Sequence, residues 1–392
     1  MRDVFIVGAA RTAIGRFGGS LQPLTSSALG EVVIREAIQR AKVDPNQIDE
    51  VILGNVYQAG GKGNPARQAA LRAGLPVQIP AMTINKQCGS GMRAIALGYQ
   101  QILTGEADII VAGGAESMSN VPHLLLNARW GQKTGVLSAE DSLLYDGLIC
   151  AIEGYHMGIT AENLAEKYHI SRQDQDRFAL ESQKKALQAI REGRFEAEIV
   201  PVFLNTAKGT SLFRIDEHPR ETTFEKLQGL SPVFKTENGT VTAGNASGIN
   251  DGAAAVVLVS ENVLKEQGLR PLVRIRSVAS AGVAPSEMGI GPVPATQKAL
   301  SKADLRLDDI ELIELNEAFA AQSLAVIREL DMDLAKVNVN GGAIALGHPV
   351  GCSGARIVVT LLYEMMRTGK KTGLATMCVG GGQGTAMVVE LA

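Results

Sequence analysis

Two distant parts of the chain carry the same short segments in the same order. The matches are Asp49–Asn55 with Ile310–Asn316, Ser90–Arg93 with Ser353–Arg356, and Ile109–Gly114 with Thr376–Gly381. Ordered self-similarity of this kind predicts a duplicated unit, although generic strand–glycine–helix patterning can also produce matches this short. In this alignment Cys88 lies opposite Gly351. Cys378 lies opposite Val111, so each half is expected to contribute one thiol.

The hydrophobic pattern is that of an α/β protein. Short runs rich in β-branched residues alternate with amphipathic stretches of helical period, such as Leu29–Ala41 and Gln173–Ile190. The strand-like runs are Val4–Val7, Val51–Leu53, Ile109–Val111, Val256–Val259 and Leu312–Leu315. With 392 residues, of which 45% are hydrophobic, the chain is long enough for more than one core. We predict an α/β fold with buried strands and two βαβ-rich halves.

The middle of the chain differs in character from both halves. Residues 119–248 are rich in loops and contain four of the five histidines, at positions 123, 156, 169 and 218. We predict an N-terminal half of residues 1–118 with 249–268, an inserted loop domain of residues 119–248, and a C-terminal half of residues 269–392. Long loops in compact domains are usually functional, so the loop domain is expected to cover a site. The alternative is a structural insertion that packs subunits together.

Charge and cysteine content argue against several functions. A formal net charge of −3 and a pI near 6.0 provide no basic field for nucleic acid or an anionic membrane. The apolar runs are too short for a membrane span. The four cysteines lie far apart without a CxxC pair, so we expect neither a disulfide framework nor a metal site. Because the chain begins directly with a strand-like run, without a visible targeting segment, the cytoplasm is the expected location.

Cys88 is the first candidate for chemistry. It follows the run Ala81–Gln87 and precedes Gly89-Ser-Gly, after which the sequence becomes helical. A sulfur at such a strand-to-helix junction faces unpaired amides and the positive end of the helix dipole, which favour the thiolate. The glycines leave room for a carbonyl oxygen beside the backbone. A buried, inert cysteine is the alternative.

His348 is the candidate base. It lies in a glycine-rich loop, where Pro349 blocks immediate helix continuation and restricts the backbone of His348. An imidazole fixed in this way can take the proton of a thiol. A lone histidine in a glycine loop can equally be a hydrogen-bonded turn residue.

Cys378 and Asn316 complete the set of candidates. Cys378 ends a strand and precedes Val-Gly-Gly-Gly, a loop of exposed amides around Gly380. This loop lacks the spacing and the acidic residue of a dinucleotide fingerprint, so nucleotide binding is disfavoured. Asn316 lies between a strand and a helix, where its amide could direct a water or polarise an oxygen. The usual role of an asparagine at that place is a helix N-cap.

Together these segments resemble the thiolase family over essentially the whole chain. The matching segments are Asn85–Gly91, Tyr155–Gly158, Val241–Gly248, Asn316–Ala320, Asn340–Pro349 and Cys378–Gly382. The resemblance implies two duplicated halves in α-β-α-β-α layers plus the inserted loop domain. Within the family the chain is most similar to the short-chain, biosynthetic type, which is an acyltransferase that joins two acetyl-CoA molecules into acetoacetyl-CoA and CoA.

The resemblance assigns a role to each candidate. Cys88 would accept the acyl group as a thioester, with His348 raising its thiolate fraction. Cys378 would move a proton to and from the second acetyl-CoA, in a reversible, ping-pong Claisen condensation. One oxyanion hole would consist of His348 and a water held by Asn316. The other would consist of the amides of Cys88 and Gly380.

The resemblance also implies a coenzyme A site under the loop domain. A bulky, partly polar Tyr155–Met157 segment is associated with short acyl chains. CoA thioesters are the expected substrates, no metal or separate cofactor is expected, and the expected assembly is a homotetramer formed as a dimer of dimers. Residues that match family positions at the CoA site are Leu148, His156, Met157, Arg220, Ala243, Ser247, Met288, Ala318 and Phe319.

Three features depart from the family pattern. Cys352 stands where alanine is usual, and Gln87 stands where a small aliphatic residue is usual. The stretch after Arg220 lacks a glycine that is often present, which affects the predicted adenine contacts. Cys352 is interpreted as a small core residue rather than as a reactive thiol.

Other functions remain compatible with the sequence. The nearest is the same chemistry on longer 3-ketoacyl-CoA substrates, as in fatty-acid degradation. A non-catalytic acyl-CoA-binding or lipid-binding relative would be expected to lack one of the thiols or His348, and all three residues are present. A redox-sensing thiol protein is a further alternative, because two cysteines in one pocket could oxidise.

Overall fold

The computed structural model describes residues 2–206 and 209–392. The strands, β1 to β15 in chain order, are Val4–Thr12, Gly15–Arg16, Glu50–Gly54, Ala81–Ile84, Ile109–Ser117, His123–Leu124, Glu140–Asp141, Ile199–Val200, Val202–Thr206, Gly209–Phe213, Asn250–Ser260, Val273–Gly282, Leu312–Leu315, Thr372–Val379 and Gln383–Leu391. The helices, α1 to α11 in chain order, are Ser26–Ala41, Pro65–Arg72, Ser90–Thr104, Met157–Lys167, Arg172–Arg191, Phe224–Gln228, Glu261–Glu266, Pro292–Ala303, Ala320–Leu330, Ala343–Leu346 and Val350–Thr368.

A large mixed sheet runs in the order β13-β14-β15-β12-β1-β11-β5-β3-β4. The pairings repeat from each side toward the centre. In the C-terminal half, β13 pairs in parallel with β14, and β14 pairs antiparallel with β15. In the N-terminal half, β3 pairs in parallel with β5, and β5 pairs antiparallel with β11. The two halves meet where β1 pairs with β12, with Phe5 opposite Arg274 and Ile6 opposite Val273. The predicted duplication is therefore present in the sheet.

The strand register corrects two of the three matches in the sequence alignment, and it makes Asp49 correspond to Glu311 rather than to Ile310. Ile109 begins β5, and its carbonyl accepts the N–H of Asp49, the residue before β3. Thr372 begins β14, and its carbonyl accepts the N–H of Glu311, the residue before β13.

Ile109 and Thr372 therefore correspond, and so do Ala115 and Cys378, each six positions further along its strand. The prediction that Cys378 lies opposite Val111 was wrong, because glycine-rich strand ends match one another in more than one register.

Helices cover the sheet in three layers. α1 and α2 pack outside the N-terminal half, around Val33 and other buried aliphatic residues. α3 and α11 pack against each other between the two halves, where Ile95 and Val358 are buried. α8 and α9 cover the outer face of the C-terminal half, around Val326. The predicted α-β-α-β-α order of the thiolase-like fold is confirmed.

Strand burial follows from this layering. β11 is buried along its whole length from Asn250 to Ser260, and its central part is a run of alanine, valine and leucine. A strand covered by helices on both faces needs such a continuous apolar run. None of the helices in the described residues combines the length and apolarity that a bilayer crossing requires.

Residues 119–248 lie against the outer helices of the C-terminal half. α4 and α5 pack on α9, and α5 also contacts α10. The segment adds two small two-stranded sheets, β6 with β7 and β9 with β10. This placement brings the start of α4 beside the loops that precede α9 and α11. The proposed boundaries of the three parts stay predictions.

Candidate active site

Cys88 lies in the short connection between β4 and α3. The preceding residue, Gln87, has a φ of 46°, which is uncommon for a residue with a side chain, and its N–H donates to Asn85 Oδ1 at 2.9 Å. At Gly89, a Cβ atom would lie 2.8 Å from Val379 Cγ2, so a larger residue would push the loop away. The Cys88 loop therefore packs directly on the end of β14, the strand that carries the second thiol.

The Cys88 thiol is protonated at neutral pH in the free protein. Burial raises its pKa to about 11, the N–H groups of Gly380 and of Cys88 itself oppose this rise, and the Glu116 carboxylate adds to it. The amides at the helix start favour the thiolate, as the sequence predicts, but burial outweighs them. A base must take the proton as the sulfur attacks.

His348 presents one defined ring nitrogen as a proton acceptor. Its Nδ1 lies 2.5 Å from Ser353 Oγ, and that hydroxyl donates to Pro349 O at 2.9 Å. Because the hydroxyl has a single hydrogen, His348 Nδ1 must donate to Ser353, and the lone pair of the neutral ring is assigned to Nε2. Within the described residues, Nε2 has no hydrogen-bond partner. It is available to a thiol or to a substrate oxygen.

The surroundings of His348 keep its ring neutral. Burial lowers its pKa to about 4, and the Arg356 guanidinium adds to the effect. The His348 N–H donates to Asn250 Oδ1 at 3.0 Å, which fixes the backbone of the loop. A neutral, oriented imidazole is the form that a general base requires.

Asn316 follows β13 and is completely buried. Its N–H donates to Thr376 O at 3.0 Å, which fixes its backbone against β14. Neither Oδ1 nor Nδ2 of its side chain has a hydrogen-bond partner within the described residues. The N-cap alternative was wrong, because α9 begins at Ala320 with Phe319 at its N-cap. An unpaired buried amide is costly, and it indicates a place for a water or a ligand oxygen.

Cys378 is buried near the end of β14. Burial raises the pKa of its thiol, and a negative charge on Cys88 raises it further, so the two sulfurs lie within electrostatic reach of each other. Gly380, two residues later, directs its N–H to the Cys88 sulfur. A Cβ atom at Gly380 would lie 3.2 Å from Met157 Cε. The end of β14 thus supplies both a thiol and an amide to the site.

Most of the predicted site residues surround one cavity of about 290 Å³. The wall is mainly apolar, which suits an acyl group and a pantetheine arm. Asn316 and Cys378 are fully buried and are not among the residues that line this cavity. The predicted residues that line the cavity are Cys88, Leu148, His156, Met157, Ala243, Ser247, Met288, Ala318, Phe319, His348 and Gly380.

Arg220 lies outside this cavity. It is exposed and borders a separate groove of about 530 Å³ together with Lys184, Arg191 and Lys226. Its guanidinium lies 3.4 Å from His218 Nε2. A groove with several basic side chains suits phosphate oxygens. That Arg220 meets the nucleotide end of CoA stays a prediction.

Sequence reasoning missed several residues of the cavity wall. Phe234 stacks on His156 with ring centroids 4.4 Å apart, and it meets the edge of Phe319 at 6.2 Å. No local pattern marks a phenylalanine in a loop as a wall residue, because tertiary packing alone brings it there. The interpretation of Cys352 as a core residue agrees with its burial between the halves. The other missed wall residues are Met118, Leu144, Gly147, Val233, Thr242, Ala246, Gly248, Ile249 and Val350.

Comparison with known proteins explains this arrangement. The family model for the thiolase N-terminal domain matches residues 4–262, and the model for the thiolase C-terminal domain matches residues 269–391. The chain belongs to the thiolase family. Both matches together cover nearly the whole sequence, in agreement with the resemblance that the motifs indicated.

Individual thiolases are similar along their full length. The chain is 57% identical over 392 residues to the acetyl-CoA acetyltransferase of Escherichia coli, covering 100% of this chain and 99% of that protein. A crystal structure of the Bacillus anthracis acetyl-CoA acetyltransferase has a TM-score of 0.98 and 49% identity, covering 100% of this chain and 99% of that one. Human mitochondrial 3-ketoacyl-CoA thiolase has a TM-score of 0.97 and 47% identity, with the same coverage.

Proposed function

We propose that this thiolase is an acetyl-CoA acetyltransferase. It condenses two acetyl-CoA molecules reversibly into acetoacetyl-CoA and CoA, through an acetyl-Cys88 thioester. The observation that carries the proposal is that Cys88 shares a cavity with the unpaired Nε2 of His348, while the unpaired amide of Asn316 is fully buried. Relatives named acetyl-CoA acetyltransferase, at 55% to 57% identity over the full chain, support the choice of substrate.

The first half-reaction transfers an acetyl group to the enzyme. His348 Nε2 takes the Cys88 proton while the sulfur attacks the thioester carbonyl of acetyl-CoA. The N–H groups of Cys88 and Gly380 stabilise the oxyanion of the tetrahedral intermediate. Cys378, which starts as a neutral thiol, gives its proton to the departing CoA sulfur and becomes a thiolate. CoA leaves as a thiol, and the acetyl group remains on Cys88.

The second half-reaction forms the carbon–carbon bond. The Cys378 thiolate takes a proton from the methyl group of a second acetyl-CoA, and the resulting enolate attacks the acetyl-Cys88 carbonyl. His348 and a water held by Asn316 stabilise the enolate oxygen. Collapse of the tetrahedral intermediate releases acetoacetyl-CoA, and the Cys88 sulfur recovers its proton from His348. Each proton that leaves a group in the first half is replaced in the second.

The apolar wall supports a short acyl chain. The stacked rings of His156 and Phe234 line the cavity together with Met157, and in this proposal they limit the length of the acyl chain. CoA thioesters are substrates in this scheme, and the residues that perform the chemistry are side chains and amides of the protein itself.

Trapping the acetyl group tests the proposal. Purified Cys378→Ala is mixed with radiolabelled acetyl-CoA, quenched in acid, digested and mapped. We expect slower acetylation, because the departing CoA sulfur loses its proton donor and must leave as a thiolate, but still one stable label on the Cys88 peptide. Condensation and thiolysis should be absent, because no base remains for the methyl proton. Cys88→Ala should take up no label, and Cys150→Ala, which removes a buried cysteine outside the cavity, should behave as the wild type. Label on any other residue contradicts the scheme.

A second candidate is a 3-ketoacyl-CoA thiolase of broader chain length. The observation in its favour is the high similarity to human mitochondrial 3-ketoacyl-CoA thiolase, with 47% identity and a TM-score of 0.97. Thiolysis of 3-ketoacyl-CoA substrates with four to sixteen carbons separates the two. A kcat/KM that is highest for acetoacetyl-CoA and falls steeply thereafter supports the acetyltransferase, and a flat or rising profile supports the alternative.

We also propose that the enzyme works as a homotetramer, a dimer of dimers, in the cytoplasm. The segment between β6 and β7 exposes 87% of Trp130 and 89% of Val136, and such large exposed apolar side chains commonly contact another chain. All four cysteines are free thiols, which suits a reducing compartment. Sedimentation analysis at several protein concentrations, with Trp130→Ser for comparison, tests the assembly.

A further inference from the structure

Glu116 is a buried carboxylate surrounded by uncharged donors. It lies near the end of β5 with no exposed surface. Its Oε2 accepts N–H groups from Val56 at 2.9 Å and from Gly351 at 2.8 Å. Its Oε1 accepts from Asn55 Nδ2 at 2.6 Å and from the Tyr57 N–H at 3.2 Å. Donors fill the positions around both oxygens, which is the arrangement that an ionised carboxylate needs.

The duplication provides an internal comparison for this residue. Because Ile109 corresponds to Thr372, Glu116 corresponds to Val379, which is fully buried in the central hydrophobic core. The same sheet position in the other half is therefore satisfied by an apolar side chain. Burying a carboxylate is costly, even when it is hydrogen-bonded. The fold does not require this charge, so Glu116 must serve a feature that the other half lacks.

That feature begins with the helix after His348. Gly351 lies in the first turn of α11, and Ser353, two residues later, accepts the hydrogen bond from His348 Nδ1. A Cβ atom at residue 351 would lie 2.6 Å from Glu116 Oε2, so the close approach depends on a glycine. A carboxylate at a helix N-terminus is also favoured by the helix dipole. Glu116 thus fixes the turn that orients the catalytic imidazole.

The same carboxylate fixes the opposite wall of the cavity. It holds the N–H of Tyr57, whose hydroxyl donates to Leu143 O at 2.9 Å. A Cβ atom at Gly147, which lines the cavity, would lie 2.1 Å from the Tyr57 hydroxyl, so the ring lies directly against that wall. Glu116 therefore connects the helix of His348 to the segment around Gly147.

We propose that Glu116 is a positioning residue for the condensation, which sets the angle of His348 toward Cys88 through Gly351 and Ser353. The proposal rests on the proposed function, because it assigns to Glu116 a part in that reaction. Glu116 itself touches no substrate, since its four donors occupy its oxygens. Its effect through Gly351 and Ser353 must therefore appear in kcat, whereas an effect through the cavity wall at Gly147 would appear in KM.

The charge of Glu116 provides a second readout. Titratable groups in electrostatic contact with Cys88 or Glu116 are Tyr57, Cys352, Cys378 and Asp251, and His348 lines the same cavity as Cys88. Burial is the main cause of the raised pKa of Cys88, and Glu116 adds to it. Removing this negative charge should lower the pKa of Cys88. Loosening of the fold would also lower this pKa by exposing the thiol, so Glu116→Asp, which keeps the charge, is the control: it should lose kcat without the shift of the thiol.

The test is Glu116→Gln in the full chain, measured per folded enzyme. The amide keeps the shape of the side chain, but it places its own N–H₂ group against two of the donors. We expect kcat to fall by about 10- to 100-fold with little change in KM, the size typical of a misplaced catalytic group. Alkylation of Cys88 by iodoacetamide should shift to lower pH. Wild-type kcat in folded Glu116→Gln overturns the proposal.

A matched control lies at the other end of the same strand. Asp49 Oδ2 accepts the N–H groups of Asp108 and Ile109 at 2.7 and 2.8 Å. Asp49→Asn should lower stability without changing kcat or the alkylation profile. If it lowers kcat as much as Glu116→Gln does, the effect is general strand disruption and the proposal is wrong.

A double-mutant cycle with Ser353 tests the route of the effect. If Glu116 acts through Ser353, the rate losses of Glu116→Gln and Ser353→Ala do not multiply in the double variant. Independent losses that multiply in the double variant contradict this route.

If Glu116→Gln does not fold, Glu116→Asp serves as the second variant. It keeps the charge but is one methylene too short to reach Gly351, and it should show the same loss of kcat. Absence of acetyl-Cys88 in the wild type would refute the proposed function instead.

Discussion

Ser353 determines which nitrogen of His348 faces the cavity. The serine hydroxyl lies 2.5 Å from Nδ1 and gives its only hydrogen to Pro349 O, so Nε2 is left with the lone pair. The sequence motif around His348 contains no sign of this arrangement, which depends on the first turn of α11. Several consequences of the site geometry can be measured.

Ser353→Ala should lower kcat without abolishing it. Loss of the acceptor at Nδ1 frees the ring to rotate and to adopt the other tautomer, and we expect a loss of about 100-fold at most. Steady-state thiolysis of acetoacetyl-CoA measures it. Ser277→Ala is the matched control, because Ser277 is also buried and donates to Ala299 O at 2.7 Å, in β12. Unchanged kcat in Ser353→Ala would show that His348 keeps its reactive tautomer without the hydrogen bond to Ser353.

Asn316→Ala should separate the two half-reactions. In the proposed mechanism the unpaired amide holds the water that stabilises the enolate, so condensation should slow by about 100- to 1,000-fold. Acetylation of Cys88 uses the other oxyanion hole and should slow far less. Single-turnover labelling and steady-state condensation on the same preparation compare the two rates. Equal losses in both rates would place Asn316 in acylation instead.

The stability of the fold should fall in mild acid because of two histidines, the buried His348 and the half-buried His218. Burial lowers the pKa of both His348 and His218 to about 4. The unfolded chain takes up protons at these side chains below about pH 6.5, whereas the folded protein does not. The free energy of unfolding should therefore decrease as pH falls from about 6.5 toward 4. Urea unfolding at pH 7 and pH 5 measures the decrease.

Substitution of His218 checks the origin of this acid sensitivity. His218→Asn should reduce the difference between the two pH values, and His123→Asn, at an exposed position, should leave it unchanged. An undiminished pH dependence in His218→Asn would assign the effect to other groups.

Phe234→Ala should widen the range of accepted acyl chains. Removing the ring that stacks on His156 opens the cavity wall. We expect kcat/KM for longer 3-ketoacyl-CoA substrates to rise relative to acetoacetyl-CoA by about tenfold, the size of effect that a few methylene groups produce in an apolar pocket. Phe203→Ala, which removes a ring that is 73% exposed, serves as the control. An unchanged chain-length profile would show that another residue limits the acyl group.

Arg11→Ala should destabilise the protein strongly. Arg11 is fully buried and pairs with Glu198 at 2.5 Å and Asp216 at 2.7 Å. Its removal leaves two buried carboxylates unpaired, at an expected loss of about 3–5 kcal/mol. Arg35→Ala breaks the exposed pair with Glu31 and should cost less than about 1 kcal/mol. Denaturant unfolding measures the free energy of unfolding of both variants. Equal losses would contradict a larger contribution of the buried Arg11 pairs to stability.

Much of the fold could be predicted from local sequence pattern. β-branched runs such as Val256–Val259 identified buried strands, and repeated segments identified the duplication. Local pattern did not predict which residue of β5 corresponds to Cys378. Short glycine-rich segments fit one another in several registers, and only the hydrogen bonds at Ile109 and Thr372 select the correct one.

The site was predictable where a motif carries the residue and not where packing alone brings it. Cys88 and His348 lie in distinctive glycine loops, and both line the cavity. Phe234 and Ser353 have no such signature, because their roles depend on which ring or hydroxyl lies opposite. For Cys88 the sequence reveals the helix start, whose amides favour the thiolate, but not the burial that outweighs them and raises the pKa of the thiol.

The pairing of β1 with β12 connects two halves that are both needed for the proposed reaction. The nucleophile belongs to the N-terminal half, whereas its base and the second thiol belong to the other half. Neither half holds a complete set of reacting groups. A change that weakens the β1–β12 pairing would therefore move Cys88 away from His348 even if each half remains folded.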